Sequence, residues 1–226
     1  MASLDHRELH IWHANIEASR RNVPRFLDLL STDERERMAR FRFESDGEDF
    51  AFARGMLRTV LGHYLRIAPG EVPFSRSQHG KPYLALSQLA SRVQFNLSHT
   101  LGYVLVAVCL DASVGVDVER LRTDVEIEDL AAKFFSLAEK QAILSLPKAE
   151  RRRAFFHCWT RKESLLKAWG GGLLLPLDAF DVSVGPKVER IGLVTRPRAE
   201  EARGWRIFDV AVPEEFAAAV SVQCAS

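Results

Sequence analysis

A long helix predicted over residues 149–169 is the feature that most constrains the fold of this chain of 226 residues. Pro147 precedes the helix, and Gly170-Gly171-Gly172 is a strong signal for its end. Glu163 and Lys167 lie four residues apart on it, so they share one face. Bulky apolar residues surround this pair, and we expect them to bury the helix: Phe155, Phe156, Trp159, Leu165, Leu166 and Trp169.

Strands are predicted before and after this helix. The continuous, β-branched apolar run over Tyr103–Leu110 is typical of a strand that is buried on both faces. Residues 114–118 predict a second strand, and the alternation over residues 93–97 predicts a third. Shorter patterns predict strands at residues 9–12 and, in the tail, near residues 180–184, 188–194, 205–210 and 216–223.

Two capping boxes predict helix starts, because a serine and a glutamate three residues later satisfy each other's free backbone donors. Ser31 opens a helix through Arg37, Met38 and Phe41, which we expect Gly47 to interrupt. A second helix then covers residues 48–65 and stops at Pro69-Gly70. Ser136 opens a further helix that ends before Pro147.

Helices and then strands occur in each half of the chain, which predicts an α+β fold with two comparable lobes. Asp111-Ala112-Ser113 is the expected crossover between them, and it is too short for a flexible linker. The predicted domains are therefore residues 1–112 and residues 113–226.

Composition excludes several classes of protein. Hydrophobic residues make up 47% of the chain, which is typical of a globular protein and not of a disordered one. A net charge of +1 gives no field for bulk binding of nucleic acid or an anionic membrane. The three cysteines are widely spaced and fit neither a disulfide framework nor a zinc site. With no signal peptide at the amino terminus, we expect a cytoplasmic protein without nucleic-acid or membrane partners.

Two carboxylates lie at strand spacing in Gly115-Val116-Asp117-Val118-Glu119. Side chains two residues apart on a strand point to the same face, so Asp117 and Glu119 repel each other unless a cation lies between them. Mg²⁺ suits this position, because it prefers oxygen ligands and takes one or two carboxylates together with substrate phosphates. The alternative is an exposed strand edge with solvated acids.

The pair on the long helix also has two interpretations. Glu163 and Lys167 can form a surface ion pair that contributes about 0.3–0.5 kcal/mol. If the helix is buried, however, both groups need partners, and a metal ion and a phosphate would supply them.

Three other polar segments are candidates for contacts with a phosphate. Ser98 and His99 follow a predicted strand, where they either cap a turn or contact a phosphate group. The turn from Arg76 to Lys81 is either a ligand loop or an ordinary hairpin loop. Arg37, with Arg40 and Arg42, forms either a solvated basic face or a site for a remote phosphate.

Taken together and in this order, the motifs resemble those of the 4′-phosphopantetheinyl transferases, specifically the long class typified by the activator of surfactin synthetase. The resemblance covers residues 30–185. The combination of Asp-x-Glu with a later Trp-x-x-Lys-Glu is highly specific. The matching segments are Asp33-Glu34-Arg35-Glu36-Arg37 followed by Phe41, Gly80-Lys81-Pro82, Phe95-Asn96-Leu97-Ser98-His99, Gly115-Val116-Asp117-Val118-Glu119, Trp159-Thr160-Arg161-Lys162-Glu163-Ser164 and Lys167-Ala168-Trp169-Gly170-Gly171-Gly172-Leu173.

The resemblance implies a fold and a reaction. The fold consists of two similar α+β lobes related by a pseudo-twofold axis, with coenzyme A in the cleft between them. The amino-terminal lobe would bind coenzyme A, and the carboxy-terminal lobe would carry the metal and the catalytic residues. The enzyme would be a monomer that transfers 4′-phosphopantetheine from coenzyme A to a serine of an apo acyl or peptidyl carrier protein, releasing adenosine 3′,5′-bisphosphate.

Residue roles follow from the same resemblance. Mg²⁺ would be bound by Asp117, Glu119 and Glu163. Catalysis would depend on Glu163 as the base, with Lys167, Asp117 and His99. Coenzyme A would be bound by Arg37, Arg76, Lys81, Ser98, His99, Lys162 and Lys167. The alternatives are a carrier-binding module without catalysis and a different Mg²⁺-dependent phosphoryl-transfer enzyme.

Overall fold

The structure is a computed structural model of the chain. It describes residues 4–6, 8–76, 82–85, 92–170, 176–185, 191, 193–195, 202 and 204–224. The chain divides into two compact units, Met1–Asp111 and Ala112–Ser226, and this division falls one residue before the boundary expected from the sequence. None of the described helices is long and apolar enough to cross a membrane.

Unit 1 is built on an antiparallel sheet in the order β1-β5-β4. The central strand, β5, is buried along nearly its whole length, as its continuous apolar run predicted. Its valines at positions 104, 106 and 108 pack in one core with the long helix α4. The elements of unit 1 are β1 (Leu9–Asn15), α1 (Ile16–Ser19), a 3-10 turn (Arg20–Asn22), α2 (Val23–Leu29), α3 (Thr32–Met38), α4 (Glu44–Leu65), a 3-10 turn (Pro69–Glu71), β2 (Phe74–Arg76), β3 (Pro82–Leu84), β4 (Val93–Thr100) and β5 (Tyr103–Leu110).

Two helix boundaries in unit 1 differ from the prediction, and a third is confirmed. The capping box at Ser31 is present, but α3 ends at Met38, before Phe41. Gly47 does not interrupt a helix; it lies inside α4, and a Cβ atom there would already touch the Met38 side chain at 3.4 Å. At the other end, α4 ends at Leu65 as predicted. The residue that ends it is Arg66, which adopts the left-handed conformation with φ 58°, and not Pro69-Gly70.

Unit 2 has an antiparallel sheet in the order β6-β10-β9. Helix α7 covers one face of this sheet, and its bounds confirm the predicted long helix that ends at Gly170. The second capping box, at Ser136, is also confirmed. The elements of unit 2 are β6 (Val114–Arg120), α5 (Ile127–Phe134), α6 (Leu137–Ser145), α7 (Lys148–Trp169), a 3-10 turn (Leu177–Ala179), β7 (Phe180–Val182), β8 (Leu193–Thr195), β9 (Trp205–Asp209) and β10 (Phe216–Gln223).

Each unit thus combines a three-stranded antiparallel sheet with a helix of 22 residues. This composition confirms the α+β class. The Asp117–Glu119 motif lies on β6 and the Glu163–Lys167 pair lies on α7, so both belong to unit 2.

Candidate active site

The face of β6 that carries the carboxylates is covered by α7. Alternate strand residues share a face, so Gly115, Asp117 and Glu119 point in one direction. A Cβ atom added to Gly115 would overlap the Ser164 carbonyl oxygen and would lie 2.9 Å from the carbonyl carbon of Lys167. The backbone of α7 therefore touches β6 at Gly115, and the two carboxylates further along β6 lie beside the carboxy-terminal half of the helix.

Lys167 and Asp117 form an ion pair across this interface. The Lys167 ammonium donates to Oδ1 of Asp117 at 2.6 Å. The Asp117 side chain is 4% exposed, whereas that of Lys167 is 31% exposed. Partial exposure keeps the ammonium accessible from solvent while it stabilises a buried carboxylate.

The three predicted metal ligands affect each other electrostatically. Burial first, and then repulsion from Asp117 and Glu163, raise the pKa of Glu119 to about 7 against the opposing effect of Lys167. Burial and then Asp117 also raise the pKa of Glu163. Asp117 and Glu119, two residues apart on β6, and Glu163, much later in the chain on α7, therefore repel one another within unit 2.

In unit 1, the predicted phosphate-binding residues lie on different elements: Ser98 and His99 on β4, Arg37 on α3 and Arg76 on β2. Ser98 and His99 belong to β4, which continues to Thr100, so the predicted polar turn at these positions is wrong. The turn follows at Leu101–Gly102. As strand neighbours, Ser98 and His99 point to opposite faces: Ser98 is buried and His99 is exposed.

Arg37 lines a cavity of about 480 Å³ in unit 1. Its guanidinium lies 5.1 Å from the centre of the Phe50 ring. Arg76 ends β2 and pairs in register with Pro82 of β3, while Lys81 lies outside the described residues. The cavity is lined by Ser31, Asp33, Glu34, Arg37, Arg54, Arg58, Gly70, Glu71, Val72, Pro73, Phe74, Ser75 and Pro82.

Comparison with known proteins identifies the family. Residues 113–221 match the family model of the 4′-phosphopantetheinyl transferase superfamily, and residues 14–111 match the model 4′-phosphopantetheinyl transferase, N-terminal. The chain is 33% identical to 4′-phosphopantetheinyl transferase HetI of Nostoc sp. over 95% of this chain and 87% of that relative. The chain belongs to the 4′-phosphopantetheinyl transferase superfamily. It is therefore a transferase.

One further relative agrees with this membership. The transferase is 32% identical to 4′-phosphopantetheinyl transferase Sfp of Bacillus subtilis, over 70% of this chain and 68% of that protein. Among solved structures, it is similar to holo-[acyl-carrier-protein] synthase of Thermotoga maritima, with a TM-score of 0.41 and 21% identity. That similarity covers 50% of this chain and 64% of the synthase.

The donor set of the transferase suits the metal that the resemblance implied. Within the part of the chain that the structure describes, no three His, Cys, Asp or Glu side chains are gathered as a metal-binding group. The chemistry nevertheless fits a hard cation, because the set consists of carboxylate oxygens only. Mutual repulsion and burial raise the pKa values of two of its members, and a bound cation would offset both effects.

Lys162 is not available for the coenzyme role that the resemblance implied. Its side chain is 0% exposed, and its ammonium lies 2.8 Å from Oε1 of Glu139. It also donates to the carbonyl oxygens of Leu177, at 2.7 Å, and Phe180. These partners satisfy all three donors of the ammonium. We therefore correct the prediction and assign Lys162 to the core of unit 2.

The transferase also contains an ion pair with a fully buried guanidinium that sequence reasoning missed. Arg161, to which we attached no role, is 0% exposed and binds Asp209 of β9 with two nitrogens, at 2.8 and 2.5 Å. Burial opposes ionisation of Asp209, but the adjacent His157 and the Arg161 guanidinium hold its pKa below the usual value. The aromatic residues around α7 could have indicated this pair. They predict a helix that is buried on most of its surface, and the charged side chains of such a helix need partners.

Proposed function

We propose that this transferase moves 4′-phosphopantetheine from coenzyme A to a serine of an apo acyl or peptidyl carrier protein and releases adenosine 3′,5′-bisphosphate. The single observation that carries the proposal is the acidic site of unit 2, in which Asp117, Glu119 and Glu163 interact beside the Lys167 ammonium. We further propose that it acts as a cytoplasmic monomer, without a nucleic-acid or membrane partner.

The proposed reaction forms one P–O bond and breaks another. The serine oxygen attacks the β-phosphorus of coenzyme A, the bond to the bridging oxygen breaks, and the bisphosphate leaves with the bond's electron pair. The serine proton must go to a base. Glu163 is the candidate, because burial raises the pKa of its carboxyl and so brings its proton affinity closer to that needed near neutral pH.

Asp117, Glu119 and Glu163 would hold a divalent cation, and we propose Mg²⁺. When bound, the cation supplies positive charge to the phosphate oxygens at which negative charge develops. Asp117 also holds Lys167 at the site, because it pairs with the Lys167 ammonium. We propose that this partly exposed ammonium and His99 add positive charge near the departing phosphate.

The remaining binding residues come from unit 1. We propose that Arg37, Arg76, Lys81, Ser98 and His99 contact coenzyme A, with the basic members near its phosphates. Arg37 lines the cavity of unit 1, which supports its role. Under this proposal unit 1 binds the coenzyme, and unit 2 supplies the metal ligands and the base.

A mass measurement tests the reaction. The purified chain is incubated with coenzyme A, Mg²⁺ and an apo carrier protein, and the proposal predicts a gain of about 340 Da on the carrier, the mass of the transferred group. A carrier that binds without any gain in mass would favour the non-catalytic binding module. A modification that does not require coenzyme A would favour a different phosphoryl-transfer enzyme.

Variants on α7 test the assigned base. Glu163→Gln removes the proton acceptor with little change in shape, and we expect kcat to fall by about 10²–10⁴ while the protein stays folded. Glu150→Gln is the matched control, because Glu150 is exposed in the first turn of the same helix. Asp117→Ala should nearly abolish transfer as well. Normal turnover of Glu163→Gln would show that another group takes the proton.

A further inference from the structure

Helix α7 rests on two small residues that face each other across the sheet. Gly115 of β6 is paired in register with Ser221 of β10. At Gly115 a methyl group would overlap two backbone atoms of α7, the Ser164 oxygen and the Ala168 nitrogen. Backbone atoms of a helix cannot rotate away as a flexible side chain can. Only glycine therefore allows α7 to lie this close to β6.

Ser221 fixes the helix at the same point by a hydrogen bond. The hydroxyl oxygens of Ser164 and Ser221 lie 2.7 Å apart, and both residues are 0% exposed. The Ser164 hydroxyl donates to the carbonyl oxygen of Arg161 at 2.9 Å. Because a serine hydroxyl has one proton, Ser221 is then the donor to Ser164. This bond links the helix to the central strand of the sheet.

The contact lies next to the acidic site. Asp117 is two residues from Gly115 on the same face of β6, and Glu163 and Lys167 are within one turn of Ser164 on α7. The partners of the β6 carboxylates on β10 are alanines, Ala219 opposite Asp117 and Ala217 opposite Glu119. No large side chain on β10 therefore keeps the helix away from the carboxylates.

We infer that Gly115 and Ser221 are positioning residues for the transfer reaction: together they set the height and register of α7 over β6, and so place Glu163 and Lys167 relative to Asp117. This inference rests on the proposed function. Neither residue touches the reacting groups. Both act through α7, whose regular geometry carries a displacement at Ser164 to the neighbouring turn.

The size of the expected effect follows from the overlap. To accept a methyl group at Gly115, α7 must move away by at least about 1 Å, so that carbon and oxygen reach a normal contact distance. The Lys167–Asp117 distance of 2.6 Å would then exceed hydrogen-bonding range. A misplacement of this size near reacting groups can cost about 10²-fold in rate.

The test compares three variants of the full chain. For Gly115→Ala we expect kcat to fall about 100-fold with the KM for coenzyme A within about threefold of the wild type. For Ser221→Ala, which adds no atoms and removes one hydrogen bond, we expect kcat to fall about fivefold. Gly55→Ala is the matched control, since a methyl group there would overlap the Phe26 side chain in unit 1, away from β6 and α7.

A second readout separates positioning from general damage. Binding of Mn²⁺ alone, followed by electron paramagnetic resonance of the free ion, should weaken in Gly115→Ala and stay unchanged in Gly55→Ala, at temperatures where thermal unfolding shows each variant to be folded. If Gly115→Ala does not fold, Ser221→Ala gives the decisive result. Wild-type kcat and Mn²⁺ affinity in the folded variants of Gly115 and Ser221 would overturn the inference. Absence of transfer by the wild type would overturn the proposed function instead.

Discussion

Removal of the Lys162 ammonium should destabilise unit 2 strongly without changing the affinity for coenzyme A. Lys162→Met keeps an unbranched side chain of similar length but removes the charge. Glu139, whose side chain is 2% exposed, would then lose its ionic partner. The carbonyl oxygens of Leu177 and Phe180 would also lose their donor.

The magnitude follows from the burial of both partners. Breaking a buried ion pair by removing one member costs about 3–5 kcal/mol, because the other charge is left without compensation. In a chain of this size 1 kcal/mol shifts the unfolding temperature by about 2–4 °C. Lys162→Met should therefore lower Tm by about 6–20 °C. Lys148→Met, at an exposed position at the start of α7, should stay within about 0.5 kcal/mol of the wild type.

Thermal unfolding monitored by circular dichroism measures the shift, and a double variant tests its cause. Glu139→Gln removes the charge that Lys162→Met leaves unpaired. Its one amide oxygen can accept from only one of the two backbone amides that Glu139 binds, those of Ser136 and Val182. The double variant should thus be more stable than the sum of the two single effects predicts, by about 0.5–3 kcal/mol. A Lys162→Met protein with wild-type Tm and a raised KM for coenzyme A would refute this reasoning and restore the ligand role.

Three further variants test local features of the structure. Burial alone would raise the pKa of Glu34, but Arg54 and Arg58 lower it below the ordinary value of 4.5. This carboxylate therefore contributes stability that is present above pH 4.5 and is lost as the pH falls through the lowered pKa. Glu34→Gln should flatten the dependence of the free energy of urea unfolding on pH below about 4.5. Ser31→Ala should cost about 1 kcal/mol in urea unfolding, because it removes the acceptor for the Glu34 amide in the capping box. Arg66→Gly should stabilise by up to about 1 kcal/mol at neutral pH, since φ 58° is unfavourable for arginine, and an unchanged urea midpoint would contradict that strain.

Local patterns predicted most of the regular structure. The apolar run of β5, the capping boxes and the glycine after α7 are signals that act within a few residues, and the structure has the corresponding elements. Gly47 shows where such signals fail. Glycine is a poor helix former, yet here it lies near the start of α4, packed beside Met38. That contact depends on the path of the chain between α3 and α4, which no local pattern encodes.

The site was also predictable only where local spacing determines it. Strand spacing placed Asp117 and Glu119 on one face, and helix spacing placed Glu163 and Lys167 on another. The pairing of Lys167 with Asp117 required β6 and α7 to pack in one register, and the residue that permits this register, Gly115, carries no chemistry of its own. Sequence reasoning therefore named the charged residues but not the contact that brings them together.

Helix α7 also shows why the sequence did not reveal which of its charged residues lie in the core and which lie at the site. Successive positions on a helix are about 100° apart, so adjacent side chains face different surroundings. Arg161 pairs with Asp209 of β9, Lys162 pairs with Glu139 of α6, and Lys167 pairs with Asp117 of β6. Apolar residues occur around most of α7, so the burial of apolar surface alone would permit several rotations of the helix about its axis.

The buried charges do not tolerate such rotations. A turn of α7 by one residue about its axis would move all three cations away from their carboxylates at once. It would leave the fully buried Arg161 and Lys162 without their partners, at a cost of several kcal/mol. We infer that these pairs, more than the apolar surface, determine which side of α7 faces the sheet. When α7 has this orientation, Glu163 lies beside the β6 carboxylates, where burial and Asp117 raise the pKa of its carboxyl. The orientation of the proposed base is thus set in part by two ion pairs, Arg161–Asp209 and Lys162–Glu139, that take no part in the proposed chemistry.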